Sequence, residues 1–147
     1  MMTTLSIWFD EKDATPGNMQ LRAKNSMSDF LGIHFTDIGP RFLVATMPVN
    51  EKTKQPMGIM HGGASCVLAE TVGSTAANYC VDHNKQFCVG LDINTSHIKS
   101  IREGLVIATA EPVHIGRSTH VWRIDIHDEG SALISTTRLT MAVLDRR

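Results

Sequence analysis

A single carboxylate stands in an otherwise uncharged stretch of this chain. Glu70 is the only charged residue between His61 and Asp82 when histidine is counted as neutral, and most of its neighbours are apolar. Ser74 follows four residues later, on the same side of a helix. A carboxylate held among apolar side chains can act as a nucleophile, or as a general base toward water. Most glutamates in helices face solvent, so this interpretation depends on the helix having no polar face to which Glu70 belongs.

A second group able to do chemistry precedes the carboxylate. The run His61-Gly62-Gly63 leads into the helical pattern, and glycine lets a backbone approach a ligand closely. The first N–H groups of a helix have no intrahelical partner and lie at the positive end of its dipole. They can bind an anion, or a carbonyl oxygen that becomes negative during a reaction. A simple tight turn would explain the two glycines equally well.

The separation of these groups limits how they can cooperate. Gly62 and Glu70 are eight residues apart, which is about 12 Å along a helix at roughly 1.5 Å per residue. One carbonyl carbon cannot lie about 3 Å from both groups of a single chain. Either only one of them is functional, or the site combines Gly62 of one subunit with Glu70 of another. The second option predicts an obligate dimer with its sites on the two-fold interface.

One long helix must position both groups. From Ala64 to about Val81 the pattern is helical, lacks proline and is apolar nearly all round, which predicts a buried helix. Before it, SMSDFLG predicts a short helix that Ser26 or Ser28 caps and Gly32 ends, and two strand-like runs meet at Gly39-Pro40. After it come four strand-like runs separated by glycine-containing turns. In one of these runs the side chains follow a clear period of two, which predicts a strand with two different faces: Trp122, Ile124 and Ile126 alternate with Val121, Arg123, Asp125 and His127.

Strands that follow one another without intervening helices pair antiparallel. The simplest arrangement is an α+β fold in which a curved antiparallel sheet of five to six strands wraps the long helix. Residues 1–25, broken by Pro16 and Gly17, are expected to be a weakly specified N-terminal lead-in. Residues 26–147 are expected to form one domain.

Composition excludes several classes of protein. The 147 residues are 42% hydrophobic and 20% charged, with a net charge of -1, so we expect no general attraction to nucleic acid or membrane. The N-terminus lacks the pattern of a signal peptide, and no run approaches the roughly 18 apolar residues of a membrane span. The three cysteines form neither a metal-binding pair nor an even disulfide set. We therefore expect a cytoplasmic protein.

The segment QPMGIMHGGASCVLAETVGS, residues 55–74, resembles the active-site segment of hotdog-fold acyl-CoA thioesterases of the PaaI-like group. Glutamine, His-Gly-Gly, glutamate and serine recur there at the spacing of the family. The likeness spans roughly residues 27–144 and includes VGLDINTSHIKSIREG and HIGRSTHVWRIDIHDEG. Within the group it is greatest for the 1,4-dihydroxy-2-naphthoyl-CoA hydrolases and the enterobactin proofreading thioesterases. It implies a hotdog fold, dimerised through a continuous sheet and often assembled as a tetramer.

The resemblance also implies five catalytic residues. Gln55 and His61 would place and polarise the thioester carbonyl, and the N–H of Gly62 would donate to its oxygen. Glu70 of the partner subunit would be the nucleophile or general base. Ser74 would bind that carboxylate or the attacking water.

Coenzyme A requires cations for its phosphates, and two loops are expected to line its path. By the resemblance these substrate-binding residues are His97, Lys99, Ser100, Arg102, Gly116, Arg117 and Ser118. Ordinary solvated turn charge would explain Lys99 and Arg102 equally well.

A thioester carbonyl is electrophilic enough to need neither a metal nor a serine triad. No HExxH or similar ligand spacing occurs among the histidines, and no G-x-S-x-G or dinucleotide motif is present. Ser65 follows the His-Gly-Gly run, but no triad acid and base can be assigned around it. We therefore expect no metal and no cofactor, since coenzyme A is part of the substrate.

The sequence thus predicts an acyl-CoA thioesterase for aromatic or medium-sized acyl groups, with 1,4-dihydroxy-2-naphthoyl-CoA as one candidate substrate. We expect a homodimer or homotetramer with no nucleic-acid or membrane partner. Two alternatives stay open. A hydratase or dehydratase of the same fold would require an Asp/His pair that is not evident, and a non-catalytic acyl-CoA binding protein would keep the cleft without using the carboxylate.

Overall fold

The computed structural model describes residues 5–147, which form two short helices, one long helix and one six-stranded sheet. Neighbouring strands all pair antiparallel. In chain order the elements are α1 (Pro16–Arg22), α2 (Met27–Phe30), β1 (His34–Gly39), β2 (Phe42–Pro48), α3 (Gly62–Tyr79), β3 (Gln86–His97), β4 (Leu105–Ile115), β5 (Thr119–Asp128) and β6 (Leu133–Asp145).

The strands are ordered β1-β2-β4-β5-β6-β3, so β1 and β3 are the two edges of the sheet. α3 lies across one face and contacts β2 through β6. On β5 the alternation expected from the sequence holds, because Trp122, Ile124 and Ile126 are fully buried beneath α3 while Arg123 is exposed. The predicted α+β fold, a long helix wrapped by an antiparallel sheet, is confirmed.

One face of α3 packs on the sheet, and small residues bring the two close together. Leu68, Ala69, Val72, Ala76 and Ala77 are fully buried on that face. The sequence predicted a buried helix, and the structure buries only this face of it. Its other face is only half-buried, and it carries Cys66, Val67, Glu70, Thr71, Ser74, Thr75 and Asn78.

Uncharged polar side chains recur along this half-buried face at intervals of three and four residues, which is the spacing of one helix face. Glu70 therefore belongs to a polar face that the apolar composition of the helix conceals. The inference that the helix has no such face is corrected, and the case for Glu70 has to rest on its surroundings.

Replacing Gly73 with alanine is expected to destabilise the fold. A Cβ there would lie 2.7 Å from Leu139 Cδ2 and 3.0 Å from Ile124 Cδ1, in the interior of the protein. Overpacking of a well-packed core costs about 1–3 kcal/mol, against a gain in helix propensity of at most about 1 kcal/mol. Urea denaturation followed by circular dichroism should show a net loss.

Gly17 provides the matched control for Gly73. It lies in α1, and an added Cβ would meet nothing within 4 Å. Gly17→Ala should therefore leave the free energy of unfolding unchanged or slightly raised. A Gly73→Ala variant as stable as Gly17→Ala would contradict the assigned close approach of α3 to the sheet.

The N-terminal region contains a helix that the sequence patterns did not predict. Thr15 caps α1 by accepting a hydrogen bond from the N–H of Asn18 at 3.1 Å, and Pro16 occupies the first turn. Met19 is buried, and Trp8 Nε1 donates to the carbonyl of Gly39 at 2.8 Å. A Thr-Pro pair is a standard helix start, so the signal was present. The proposed boundary near residue 25 stays a prediction, and residues 1–4 lie outside the described part of the chain.

The other local predictions agree with the structure. Ser26 caps α2, and Gly32 follows that helix with a φ of 74°. β1 and β2 form a hairpin through Gly39 and its neighbours. Among residues 5–147, no helix is both long and apolar enough to cross a membrane.

Candidate active site

The first turn of α3 has one N–H group without an acceptor. The ring of His61 caps the helix, with Nδ1 accepting from the N–H of Gly63 at 2.8 Å. The carbonyl of His61 accepts from the N–H groups of Ala64, at 2.9 Å, and Ser65, at 3.4 Å. Within residues 5–147 the N–H of Gly62 has no such partner. It lies at the positive end of the helix dipole.

A cavity of about 280 Å³ opens at this end of α3. Gln55, Gly62, Ser65, His97 and Ser100 are among the residues that line it. The ring of His97 lies against Gly62, because a Cβ at this position would be 2.9 Å from Nε2 of the histidine. A side chain at this position would therefore displace the ring, whereas glycine lets the ring and the helix end lie close together.

A tight turn presents Gln55 to the cavity. The N–H of Gln55 donates to the carbonyl of Ile59 at 2.9 Å, and its Oε1 accepts from the N–H of Met57 at 2.5 Å. Gly58 completes the turn with a φ of 76°. Arg102 Nη1 donates to the carbonyl of Met57 at 3.1 Å. The side chain of Arg102 therefore braces this turn, in addition to any contact that it makes with substrate.

Glu70 lies in a different cleft of the same chain. This groove of about 430 Å³ is lined by Val67, Glu70, Thr71 and Ser74 together with part of α2. The carboxylate reaches Gly90 of β3, where a Cβ would be 2.5 Å from Oε1. Among the described residues it has neither an ion pair nor a hydrogen-bond donor. Such a carboxylate is available to a ligand or a reacting group.

Lys99 and Ser100 lie at the same end of the sheet as the Gly62 cavity. Lys99 Nζ is 3.6 Å from a carboxylate oxygen of Asp128. A hydrogen bond from the N–H of Ala132, helped by Lys99, keeps the pKa of Asp128 below its usual range. Lys99 is nevertheless 58% exposed, so a ligand phosphate can reach it.

The second predicted loop lies elsewhere. Gly116, Arg117 and Ser118 form the turn between β4 and β5, whereas Lys99 and Arg102 lie before β4 begins. The 11 residues of β4 span roughly 35 Å at about 3.3 Å per residue. Within one chain the two loops therefore do not line a common cleft.

The outer edge of the sheet is long and unprotected. β3 has 12 residues, pairs only with β6 in the described chain, and bulges between Gly90 and Asp92. Leu91 stands in this bulge and is 64% exposed. A long edge strand with an exposed leucine is available for pairing with another strand. His97, beside Gly62, lies at one end of β3, whereas Gly90, beside Glu70, lies in its other half.

No group of three or more His, Cys, Asp or Glu side chains within residues 5–147 is placed to hold a metal ion. Ser65, which the sequence suggested only as a possible triad nucleophile, lines the Gly62 cavity. That position was not predicted. A residue three positions after Gly62 lies on the same helix face, which was the available signal.

The chain matches a known family in sequence, and solved structures share its fold. A family described as the thioesterase superfamily matches residues 57–135. The 1,4-dihydroxy-2-naphthoyl-CoA hydrolase of Escherichia coli is 44% identical over 138 residues, which cover 94% of this chain and 99% of that protein.

Solved structures are similar as well. A thioesterase of Pseudomonas aeruginosa, solved as a glutamine-to-alanine variant, has a TM-score of 0.93 at 41% identity, covering 96% of this chain and 100% of that one. A Staphylococcus aureus protein, solved as a glutamate-to-alanine variant, has a TM-score of 0.79 at 38% identity, covering 82% and 99%. It was also solved as a glutamine-to-alanine variant, and its two substituted positions have the same separation as Gln55 and Glu70. This chain therefore belongs to the thioesterase superfamily, as a thioester hydrolase with the hotdog fold.

Proposed function

We propose that this protein hydrolyses acyl-CoA thioesters with aromatic or medium-sized acyl groups, at sites that two copies of the chain complete together. One observation carries the proposal. The N–H of Gly62, without an acceptor in the described chain, and the carboxylate of Glu70, without a partner there, lie in two separate clefts. Each cleft holds one half of what thioester hydrolysis requires.

In the first half-site, the N–H of Gly62 binds the thioester oxygen. The helix dipole and the N–H act together on the negative charge that develops there, and such fixed donors need no rearrangement during the reaction. The amide of Gln55 holds the carbonyl from the neighbouring turn. His61 contributes by capping the helix. Its ring and its carbonyl accept from the N–H groups of Gly63, Ala64 and Ser65, and the N–H of Gly62 is left for substrate.

In the second half-site, Glu70 supplies the carboxylate. As a nucleophile, its oxygen attacks the carbonyl carbon, the C–S bond breaks, and coenzyme A leaves as the thiolate. Water then hydrolyses the mixed anhydride to release the acid and regenerate Glu70. As a general base, Glu70 instead removes a proton from the water that attacks the carbonyl. In either route Ser74, one turn further along α3, binds the carboxylate or the water.

Antiparallel pairing of β3 with its own copy would join the half-sites. A two-fold axis through the middle of this edge strand brings the His97 end of one copy beside the Gly90 half of its partner. Gly62 contacts the former and Glu70 the latter. The same operation moves the partner's β4–β5 turn, with Arg117 and Ser118, toward the end that carries Lys99. The two coenzyme A loops, separated within one chain, would then serve one substrate.

Similarity to the Escherichia coli enzyme supports 1,4-dihydroxy-2-naphthoyl-CoA as a candidate substrate. The family resemblance supports a homodimer or a pair of dimers forming a homotetramer. Three free cysteines agree with a reducing compartment, so we propose that the protein works in the cytoplasm. A thioester carbonyl is already electrophilic, so we propose that hydrolysis uses neither a metal nor a separate cofactor.

A thiol-release assay tests this function. Purified protein is mixed with benzoyl-CoA or 1,4-dihydroxy-2-naphthoyl-CoA and a thiol reagent, and free coenzyme A is followed by absorbance. We expect turnover with at least one of them. Tight binding by calorimetry without thiol release would replace the proposal with a binding protein. Loss of enoyl-CoA absorbance without thiol release would replace it with a hydratase.

A further inference from the structure

Ser65 is a buried polar residue that the catalytic assignment does not use. Ser65 is 1% exposed, yet it lines the cavity that Gly62 and His97 also line. Its backbone N–H donates to the carbonyl of His61, but its hydroxyl forms no hydrogen bond to any described residue. Because the residue borders the cavity and its hydroxyl has no partner among the described residues, the hydroxyl can donate to a ligand atom there.

The position of Ser65 relative to Gly62 suggests which atom that is. The two residues are three apart on α3 and therefore lie on one face, one turn from each other. The N–H groups of Gly63, Ala64 and Ser65 are already bound to His61. The backbone thus offers the substrate one donor at this end of the helix, and an oxyanion accepts two or three.

We propose that the hydroxyl of Ser65 is a further donor to the thioester oxygen, on the buried side of the cavity, beside the N–H of Gly62. The assignment rests on the proposed thioesterase function. Gln55 holds the same oxygen from the open turn, and Ser65 holds it from within the helix. The hydrogen bond strengthens as the carbonyl oxygen gains charge. It therefore lowers the activation barrier and leaves the affinity for substrate nearly unchanged. Ser65 forms no covalent bond, and its proton stays on the hydroxyl.

Ser65→Ala tests the assignment. Loss of one oxyanion donor typically lowers kcat by about 10²–10³-fold, so we expect a fall of about 10²-fold in kcat for benzoyl-CoA with KM nearly unchanged. Ser65→Cys keeps the branching of the side chain but offers a weaker donor, so its kcat should fall to a similar degree. Thermal unfolding of both variants should stay close to that of the wild type. A purely structural role would lower the melting temperature and leave the kcat of the folded fraction unaltered, which would overturn the proposal.

A change of leaving group distinguishes this role from a second one open to a hydroxyl, which is a hydrogen bond to the departing sulfur. Benzoyl thioesters of N-acetylcysteamine and of thiophenol form the same oxyanion but release thiolates of different basicity. If Ser65 binds the oxygen, Ser65→Ala lowers kcat by the same factor for both esters. A loss confined to the N-acetylcysteamine ester would assign Ser65 to the sulfur and overturn the proposal. A wild-type protein that released no thiol would refute the thioesterase function itself. An active wild type with an equally active Ser65→Ala variant would refute only the role of Ser65.

Discussion

Glu70→Gln should lower kcat for benzoyl-CoA hydrolysis by about 10³-fold, within the range observed when an acid–base group is lost. Glutamine keeps the shape of the side chain beside Gly90 but can neither attack the carbonyl nor accept a proton from water. KM should change little, because the carboxylate acts on the reacting carbon and not on coenzyme A. The measurement is steady-state thiol release, with the folded state checked by circular dichroism.

Glu11→Gln serves as the control for this substitution, since Glu11 is an exposed residue far from both clefts along the chain. It should keep the activity of the wild type. A Glu70→Gln variant that retained more than about a tenth of wild-type kcat would remove Glu70 from the chemistry and leave the groove as a binding surface only.

Mixing variants tests whether the site is shared. Chains with Glu70→Ala lack the carboxylate, and chains with Gln55→Ala lack a group of the other half-site. If each site takes Gln55 from one copy and Glu70 from its partner, exchange of subunits restores one intact site in every mixed dimer. About a quarter of wild-type activity should then return, because about half of the dimers are mixed and one of their two sites is intact. Activity that never rises above the sum of the separate variants would contradict a shared site.

Leu91→Asp should separate the dimer and abolish turnover together. Leu91 is the bulged residue of the exposed edge strand β3, and it has no register partner on β6. A charge at this position should therefore leave the fold of a single chain intact. On a paired edge it would bring like charges close together across the two-fold axis and disfavour strand addition. Sedimentation should show a monomer with native circular dichroism, and kcat should fall at least about 10²-fold, since neither half-site suffices.

Leu21→Asp gives a matched comparison for this edge substitution. Leu21 is 60% exposed on α1, so the substitution introduces the same charge at a similarly exposed leucine away from β3. It should remain associated and active. A Leu91→Asp monomer that turned over at the wild-type rate would show that one chain contains a complete site.

Local features of the fold followed from the sequence because neighbouring residues determine them. The alternation Trp122, Ile124, Ile126 predicted the buried face of β5, and it is the face that packs under α3. Ser26 and Gly32 marked the limits of α2. The polar face of α3 was missed, because hydroxyl side chains add little to a polarity pattern and only packing on the sheet reveals which side they occupy.

The sequence by itself determined a long helix among antiparallel strands, the isolated carboxylate at Glu70, and the helical separation that keeps it from Gly62. These depend on composition, periodicity and the fixed rise of a helix. Only the tertiary structure decided that β3 lies on an edge, that His97 covers Gly62 and that Arg102 braces the Gln55 turn. Each of these joins residues distant along the chain, and pairing over such distances is set by the packing of the whole sheet and helix.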